Sequence, residues 1–419
     1  MKRILFVGLL QLCWTALMAQ TATMQVTVAN DWTTDKADEP VAVKFSQVKK
    51  LVKVFAKAEV KGARVTGQGQ DVPCQLDDMD GDLRADEVFF LTDLKAGEKK
   101  TFEVTLSAQP QEQQTEPRIY TALQIRDKQD KHPDVLKVEA PGKSFLFNDI
   151  YMHGITIESE LTGYRIYFDE RQNIDLYGKK YRRIELPVTQ FYTSPEQLAE
   201  GYGVDVLWAG KAIGCGSFKD WNAAGCVPQN WTDVAVRGQR VVTTGPLRTV
   251  VEVYDLGVKA ADGGTYDMHQ TYTLCAGHRD MAVDVTFSRR LEQSFCTGVQ
   301  KVGVTATDSV RRGHVPEGWL RPDGLAASWG CDYPDMGKKQ QWPPEAIGMA
   351  VYVPQEYIRS QQEDELNYIY VVAPDSQGHI RYYVSFCADK EVEGYHTAGE
   401  WFASLDKWKE AVSHPARVK

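Results

Sequence analysis

The sequence predicts an all-β chain, a small N-terminal β-sandwich followed by a large antiparallel two-sheet supersandwich with few short helices. Three observations predict this class. β-branched and aromatic residues alternate with polar ones in one short segment after another. Periodicity long enough for a helix is confined to two short pieces, and a stretch of Pro, Gln and Glu from Gln109 to Pro117 separates shorter strands from longer ones.

The chain begins as an exported protein would. Lys2 and Arg3 precede the apolar run Ile4 to Leu17, and Ala19 is a suitable cleavage position, so residues 1–19 read as a signal peptide. That run is shorter than the roughly 20 residues of a membrane-spanning helix, and no later segment is longer and as apolar, so a periplasmic or extracellular protein with no membrane association after processing is expected. Loss of Lys2 and Arg3 takes the formal net charge from −9 to −11 with no basic block left, which argues against nucleic acid as a partner.

Residues 20–108 are expected to form the small sandwich, with strands at Met24 to Ala29, Val41 to Phe45, Val52 to Ala56, Val88 to Leu91 and Phe102 to Leu106. Residues 109–117 are the linker. Residues 118–419 carry the supersandwich, with strands at Ile155 to Glu160, Tyr164 to Asp169, Val241 to Thr244, Thr249 to Asp255, Met268 to Cys275, Met281 to Ser288, Gly298 to Ala306, Ile347 to Val353, Tyr368 to Ala373 and Tyr382 to Ala388. The helical pieces are Ser194 to Glu200, with Pro195 in the first turn, and Leu405 to Val412 behind Ser404 as a cap. Seven cysteines remain after Cys13 is lost with the signal, and only Cys215 and Cys226 lie close enough in sequence to suggest a disulfide.

Four constellations could carry chemistry. In Asp77 to Glu87, Asp78, Asp80, Asp82 and Asp86 are spaced so that a tight loop bending at Gly81 could turn carboxylates inward, which suits structural Ca2+. The alternative is a hairpin connection capped by its own side chains. In His153 to Arg171, a strand phase places Arg165, Tyr167, Asp169 and Arg171 on one face and Tyr164, Ile166 and Phe168 on the other, with Asp175, Tyr177 and Lys179 continuing the phase. Guanidinium pairs bidentately with carboxylate and a phenol can stack on a sugar or pass a proton, so this face suits a uronate, although cross-strand ion pairs would look the same.

The third constellation is Tyr266 to Asp280. His269 shares a face with Thr271 and Thr273, whereas Tyr272 shares the other with Gln270, and a histidine is suited to general-base work, although a hydrogen-bonded structural role is the commoner use. His278 and Arg279 read as solvent-facing turn residues. The fourth is the set Trp208, Trp221, Trp231, Trp319, Trp329, Trp342 and Trp401, mostly beside Gly or Pro, where indoles either stack on sugars or cap cores.

The runs DDMDGDLRADEVFFL from Asp77, GYRIYFDERQNIDLYGK from Gly163, and FYTSPEQLAEGYGVDVLW from Phe191 followed by GCGSF resemble a secreted bacterial family, domain of unknown function 4861, over nearly the whole mature chain. The resemblance implies a place beside enzymes degrading pectin-like or uronate-containing glycans and a galactose-mutarotase-type large domain. It supplies no catalytic residues.

The expected function is action on an acidic, uronate-containing polysaccharide or oligosaccharide, most simply by β-elimination. Arg165 would neutralise the carboxylate, and Tyr167 or His269 would take the C5 proton. Glu158, Glu160 and Asp169 are the carboxylates available to a hydrolase, and His153, Arg171, Tyr272, Trp208 and Trp329 are expected to hold substrate. A non-catalytic sugar-binding module is the remaining alternative. No organic cofactor is expected, and the oligomeric state stays open.

Overall fold

The computed structural model describes residues 20–48, 52–55, 59–111, 115–129, 131–334 and 341–419. The expected signal peptide and residues 112–114 of the linker lie outside the described residues. The first sandwich packs a five-stranded sheet on a three-stranded one. Its logic is period two: in the Lys99–Ser107 strand, Phe102, Val104 and Leu106 are buried while Thr101, Glu103 and Thr105 face outward. Each such apolar side chain contributes about 1.5–3 kcal/mol by leaving water.

Two expectations are corrected in this sandwich. Val52 to Ala56 forms no strand, because Lys53–Phe55 is a single 3-10 turn that drops Phe55 into the core without needing a ladder partner; Ala56 lies outside the described residues. The sandwich also takes its edge from the far end of the chain, where Arg417–Val418 pairs with Thr21–Ala29.

The large unit is built on a nine-stranded antiparallel sheet running from Glu317–Leu320 at one edge to Lys137–Pro141 at the other. Two five-stranded sheets cover its inner face. One comprises Val204–Asp205, Ile174–Gly178, Gly163–Tyr167, Ile150–Ser159 and Ile119–Ile125; the other is centred on Phe295–Gln300. Ile157, Ile166 and Leu176 from the first, Phe295 and Val299 from the second, and Val251, Tyr272, Val283 and Tyr382 from the large sheet meet in one core. The architecture is all-β, as the alternation predicts.

The long helix differs from expectation at its start. It spans Ala398–Ser413 and is capped by Thr397, whose hydroxyl accepts from the Glu400 amide; Ser404 lies inside it and bonds back to the Trp401 carbonyl. Its Trp401 and Leu405 pack on Trp329, Ala350 and Cys387, on the side of the large sheet away from the main core. No helix among the described residues is long and apolar enough to cross a membrane. Cys215 and Cys226 do not pair, because Cys215 is buried under the large sheet while Cys226 is exposed at a hairpin turn; all seven described cysteines are free thiols.

Ion pairs join the two units. Arg248 of the large sheet reaches Asp77 and, at 2.5 Å, Glu87 of the sandwich. Arg118 bonds Asp38 on one side and Glu160 on the other. His278 and Arg279 are not solvent-facing turn residues: His278 Nε2 contacts the Asp38 carbonyl at 2.9 Å and Arg279 pairs with Glu391, so both are part of the packing.

Candidate active site

The site forms where strand alternation and one local irregularity act together. On the Gly163–Tyr167 strand, Tyr164 and Ile166 enter the core, so Arg165 and Tyr167 must point to the outer side of their sheet. Antiparallel register sets Asp175 directly opposite Arg165, and Asp205 opposite Tyr177 one strand further on. One nitrogen of Arg165, Nη2, then donates to Asp175, to Asp205 at 3.1 Å and to the Tyr167 hydroxyl at 2.9 Å. The guanidinium also lies over the Phe191 ring at 4.6 Å and the Tyr167 ring at 4.7 Å. Its Nε is buried and has no hydrogen-bond partner.

The irregularity is on the Ile150–Ser159 strand. Met152 and His153 both adopt left-handed backbone angles, φ 58° and 60°, where the pairing with Ile119–Ile125 slips between Tyr151 and Thr156. A bulge of this kind re-aims a side chain, and two non-glycine residues in that region cost about 1–3 kcal/mol each. Here it turns the His153 ring against Phe147, centroids 3.6 Å apart, with Tyr167 parallel to it at 6.4 Å. His153 Nδ1 lies 2.7 Å from the Phe147 carbonyl oxygen. A carbonyl only accepts, so Nδ1 carries the proton and Nε2 is left as the acceptor.

These groups line a cavity of about 390 Å3 with Asn173, Tyr192, Trp208 and Trp342 in its walls. Burial lowers the pKa of His153, helped by the charges of Arg165 and Arg126, so the ring is neutral near pH 7. Burial, with the Asp175 charge, raises the Tyr167 phenol far above its ordinary value and keeps it protonated. The cavity therefore holds a neutral imidazole acceptor beside a phenol donor. Trp208 is 51% exposed at its edge, and Arg171 stands at the mouth, held by Asp169 through bonds of 2.5 and 2.8 Å.

The structure thus brings together Arg165, Tyr167, Arg171, His153 and Trp208, with Asp169 behind Arg171. It separates the others. His269 is on the far side of the molecule: Tyr266, Met268, Gln270 and Tyr272 of its strand face the core, which leaves His269 on the outer face of the large sheet, paired with Glu252 at 3.2 Å. Tyr272 is fully buried and bonds Gln270, and Trp329 is buried beneath the long helix, so neither holds substrate. Of the tryptophans, Trp231, Trp329, Trp342 and Trp401 are buried.

Two expected hydrolase carboxylates are structural. Glu158 is buried, paired with Lys179 at 2.5 Å, and accepts from the amides of Glu185 and Leu186. Glu160 is shared by Arg118, Arg182 and the Gly277 amide. In the acidic loop, oxygens of Asp78, Asp80 and Asp86 lie within 4.8 Å of one another, whereas Asp82 stands apart and accepts from the Arg84 amide. Asp78 caps the amides of Gly81 and Leu83, and Asp86 those of Met79 and Asp80, so the loop has the self-capped form as well as a cluster.

Residues missed by sequence reasoning are Asp205, Phe147, Phe191 and Tyr192, whereas Trp342, a member of the tryptophan set, does line the cavity. Asp175 had the signal of its phase. Asp205 had none, since only the short two-residue pairing with Ile174–Gly178 carries it to the cavity.

The family model described as Domain of unknown function (DUF4861) matches residues 28–418. A search of the curated proteins finds no match. Among solved structures, the chain is similar to a protein in the glycosyl hydrolase family 38 from Enterococcus faecalis, with 9% identity, a TM-score of 0.41, and coverage of 95% of this chain and 47% of that one. It is similar to an alpha-mannosidase from Enterococcus faecalis V583, with 9% identity, a TM-score of 0.43, and coverage of 95% and 46%. A candidate aldose 1-epimerase from Klebsiella pneumoniae subsp. pneumoniae MGH 78578 matches with 7% identity and a TM-score of 0.31, covering 70% of this chain and 95% of that one. The chain spans less than half the length of the two Enterococcus proteins, and likenesses this remote carry no statement of activity.

Proposed function

We propose that this chain, which belongs to the family described as Domain of unknown function (DUF4861), is an exported carbohydrate-active protein that opens uronate-containing saccharide by β-elimination at the His153 and Tyr167 cavity. The observation that carries the reading is the Nδ1 contact of His153 with the Phe147 carbonyl, which leaves Nε2 as a base beside a protonated phenol. The base expected at His269 is thereby moved to His153.

The step balances without a co-reactant. His153 Nε2 takes the C5 proton, the C5–H electrons form the C4–C5 double bond, and the C4–O bond breaks. Tyr167 gives its proton to the leaving oxygen, and Arg165 Nη2, 2.9 Å from that phenol oxygen, stabilises the phenolate. The imidazolium then returns its proton to Tyr167 through solvent. Arg165 is buried between Asp175 and Asp205 and does not serve the substrate carboxylate; in this reading Arg171, partly exposed at the mouth and bonded to Asp169 through Nε and Nη2, serves it through Nη1. Export rests on the Lys2, Arg3 and apolar N-terminal pattern.

A second reading has its own observation. Asp175 and Asp205 both bond one guanidinium nitrogen, a close carboxylate pair of the sort that retaining glycosidases use. Incubation of the pure protein with oligogalacturonides separates the readings. Ultraviolet absorbance from an unsaturated uronate supports elimination, new reducing ends without that absorbance support hydrolysis, and binding with neither overturns both enzymatic readings in favour of a binding module.

A further inference from the structure

We propose that the cavity is the middle of a track for a saccharide chain, with one sugar unit on either side of the one held at His153 and Tyr167; this rests on the saccharide reading above. Two independent features mark the flanking positions. The first is a ladder of rings leading out of the cavity. Phe147, in its wall, stacks on His153, and Phe145 stacks on Phe147 with centroids 5.9 Å apart and planes 14° from parallel.

Phe145 is 76% exposed and Phe147 38%. Two phenyl rings left in water on a loop forgo burial worth about 25 cal/mol per Å2 of apolar surface. Their near-parallel arrangement offers flat apolar faces in line with the His153 and Tyr167 rings. The occupant that matches such faces is a sugar ring, which presents a flat C–H surface above and below and hydroxyls at its rim. Continuity with the cavity through Phe147 makes that sugar a neighbour, in the same chain, of the one inside.

The second feature is a cavity of about 540 Å3 that neither Phe145 nor Phe147 lines and whose walls include charged and amide side chains. It shares Arg171, Asn173 and Gly210 with the first cavity, so the two adjoin. The floor of the junction is fixed by Lys219, which is buried and spends its ammonium donors on the Arg171 carbonyl, Asn173 at 2.8 Å and Asn230 at 3.2 Å. Lys211 and Asp364 add donors and acceptors to the walls. The Asn173 and Asn230 amides that Lys219 holds in place, with Lys211 and Asp364, suit the hydroxyl edge of a further sugar unit. Stacking on one side and hydrogen bonding on the other then define a preferred ligand of at least three units.

Calorimetric titration tests this with oligogalacturonides of one to six units, and with cello-oligosaccharides as a neutral series. The expected result is affinity that rises from one unit to three. Phe145→Ala, which lies outside the proton-transfer groups, should weaken binding of the trimer about fivefold, as the loss of one ring stack implies, and leave the single unit unchanged. Lys211→Ala should also weaken the trimer and not the single unit. Equal affinity for one and six units, with Trp208→Ala abolishing both, overturns the track and leaves the saccharide reading standing. Trimer binding unaffected by Phe145→Ala also overturns it. No binding of either series at any length overturns both.

Discussion

His153 Nδ1 lies 2.7 Å from the carbonyl oxygen of Phe147, and this contact fixes which nitrogen of the ring can act as a base. The contact forms at the bulge of Met152 and His153, whose two left-handed residues break the regular alternation of their strand. His153→Gln should lower turnover of oligogalacturonide by about 10²–10⁴-fold, the usual worth of a general base, with binding within a few fold of the parent. Unchanged turnover removes His153 from the mechanism.

The pH dependence follows from the same residue. Burial and the neighbouring arginines lower its pKa from the ordinary 6.5, so the neutral, basic form persists to below pH 6.5 and is lost only as pH falls further. The acid limb of kcat/KM should therefore lie below pH 6.5. Arg126→Ala removes one of the repelling charges and should move that limb upward; a limb that does not respond is not set by His153.

Much of the fold was legible because alternation is a local signal. Segments such as Phe102 to Leu106 and Met281 to Phe287 show their buried face in their own residues. The face of Arg165, Tyr167 and Arg171 was legible for the same reason. The choice of histidine was not. Both faces of the His269 strand carry polar groups, and Gln270 looks like a cleft residue in sequence, yet in the core it is satisfied by Gln172 and Tyr272. A buried polar network cannot be told from a ligand-binding face until partners such as Gln172, 98 positions away in the chain, are in place. The bulge at His153 is likewise a property of how two strands pair.

Glu158 and Lys179 form a buried pair whose other bonds are all to the backbone, including Lys179 to the Ser159 and Arg183 carbonyls. Removing one partner leaves the other charge buried and uncompensated. Glu158→Gln or Lys179→Met alone should destabilise the fold by about 3–5 kcal/mol, and the double variant should recover part of that loss. Denaturant unfolding of the three variants measures it. A mild Glu158→Gln effect on stability with abolished turnover would return Glu158 to the list of catalytic carboxylates.

The acidic loop predicts a metal response confined to three residues. The Asp78 oxygens and Asp80 Oδ1 each accept one backbone amide and keep a lone pair, and Asp86, whose Oδ2 accepts two amides, has its second carboxylate oxygen, so binding of Ca2+ would not require the loop to give up its caps. Ca2+ at 100 times its dissociation constant should add about 2.7 kcal/mol to stability. Asp80→Asn should abolish that increment, and Asp82→Asn should leave it intact, because Asp82 lies outside the cluster. Equal thermal unfolding in Ca2+ and in chelator rejects the ion.

His278 joins the two units and should make their union sensitive to alkali. Burial opposes its protonation, but the hydrogen bond and charge of Asp280, with the Asp38 carbonyl, outweigh this and raise its pKa from 6.5 to about 9. A group whose folded pKa is raised contributes stability that is fully present below its unfolded value, here about 6.5, and is lost as pH rises through the folded value. Stability should therefore decline between pH 6.5 and about 9 by an amount that disappears in His278→Gln. Since Nε2 reaches the sandwich and Nδ1 the large unit, the decline should be seen first as separation of the units, with small-angle scattering showing a rising radius of gyration over the same range. A parent protein and a His278→Gln variant with parallel stability profiles would show that the proton on this ring does not couple the two units.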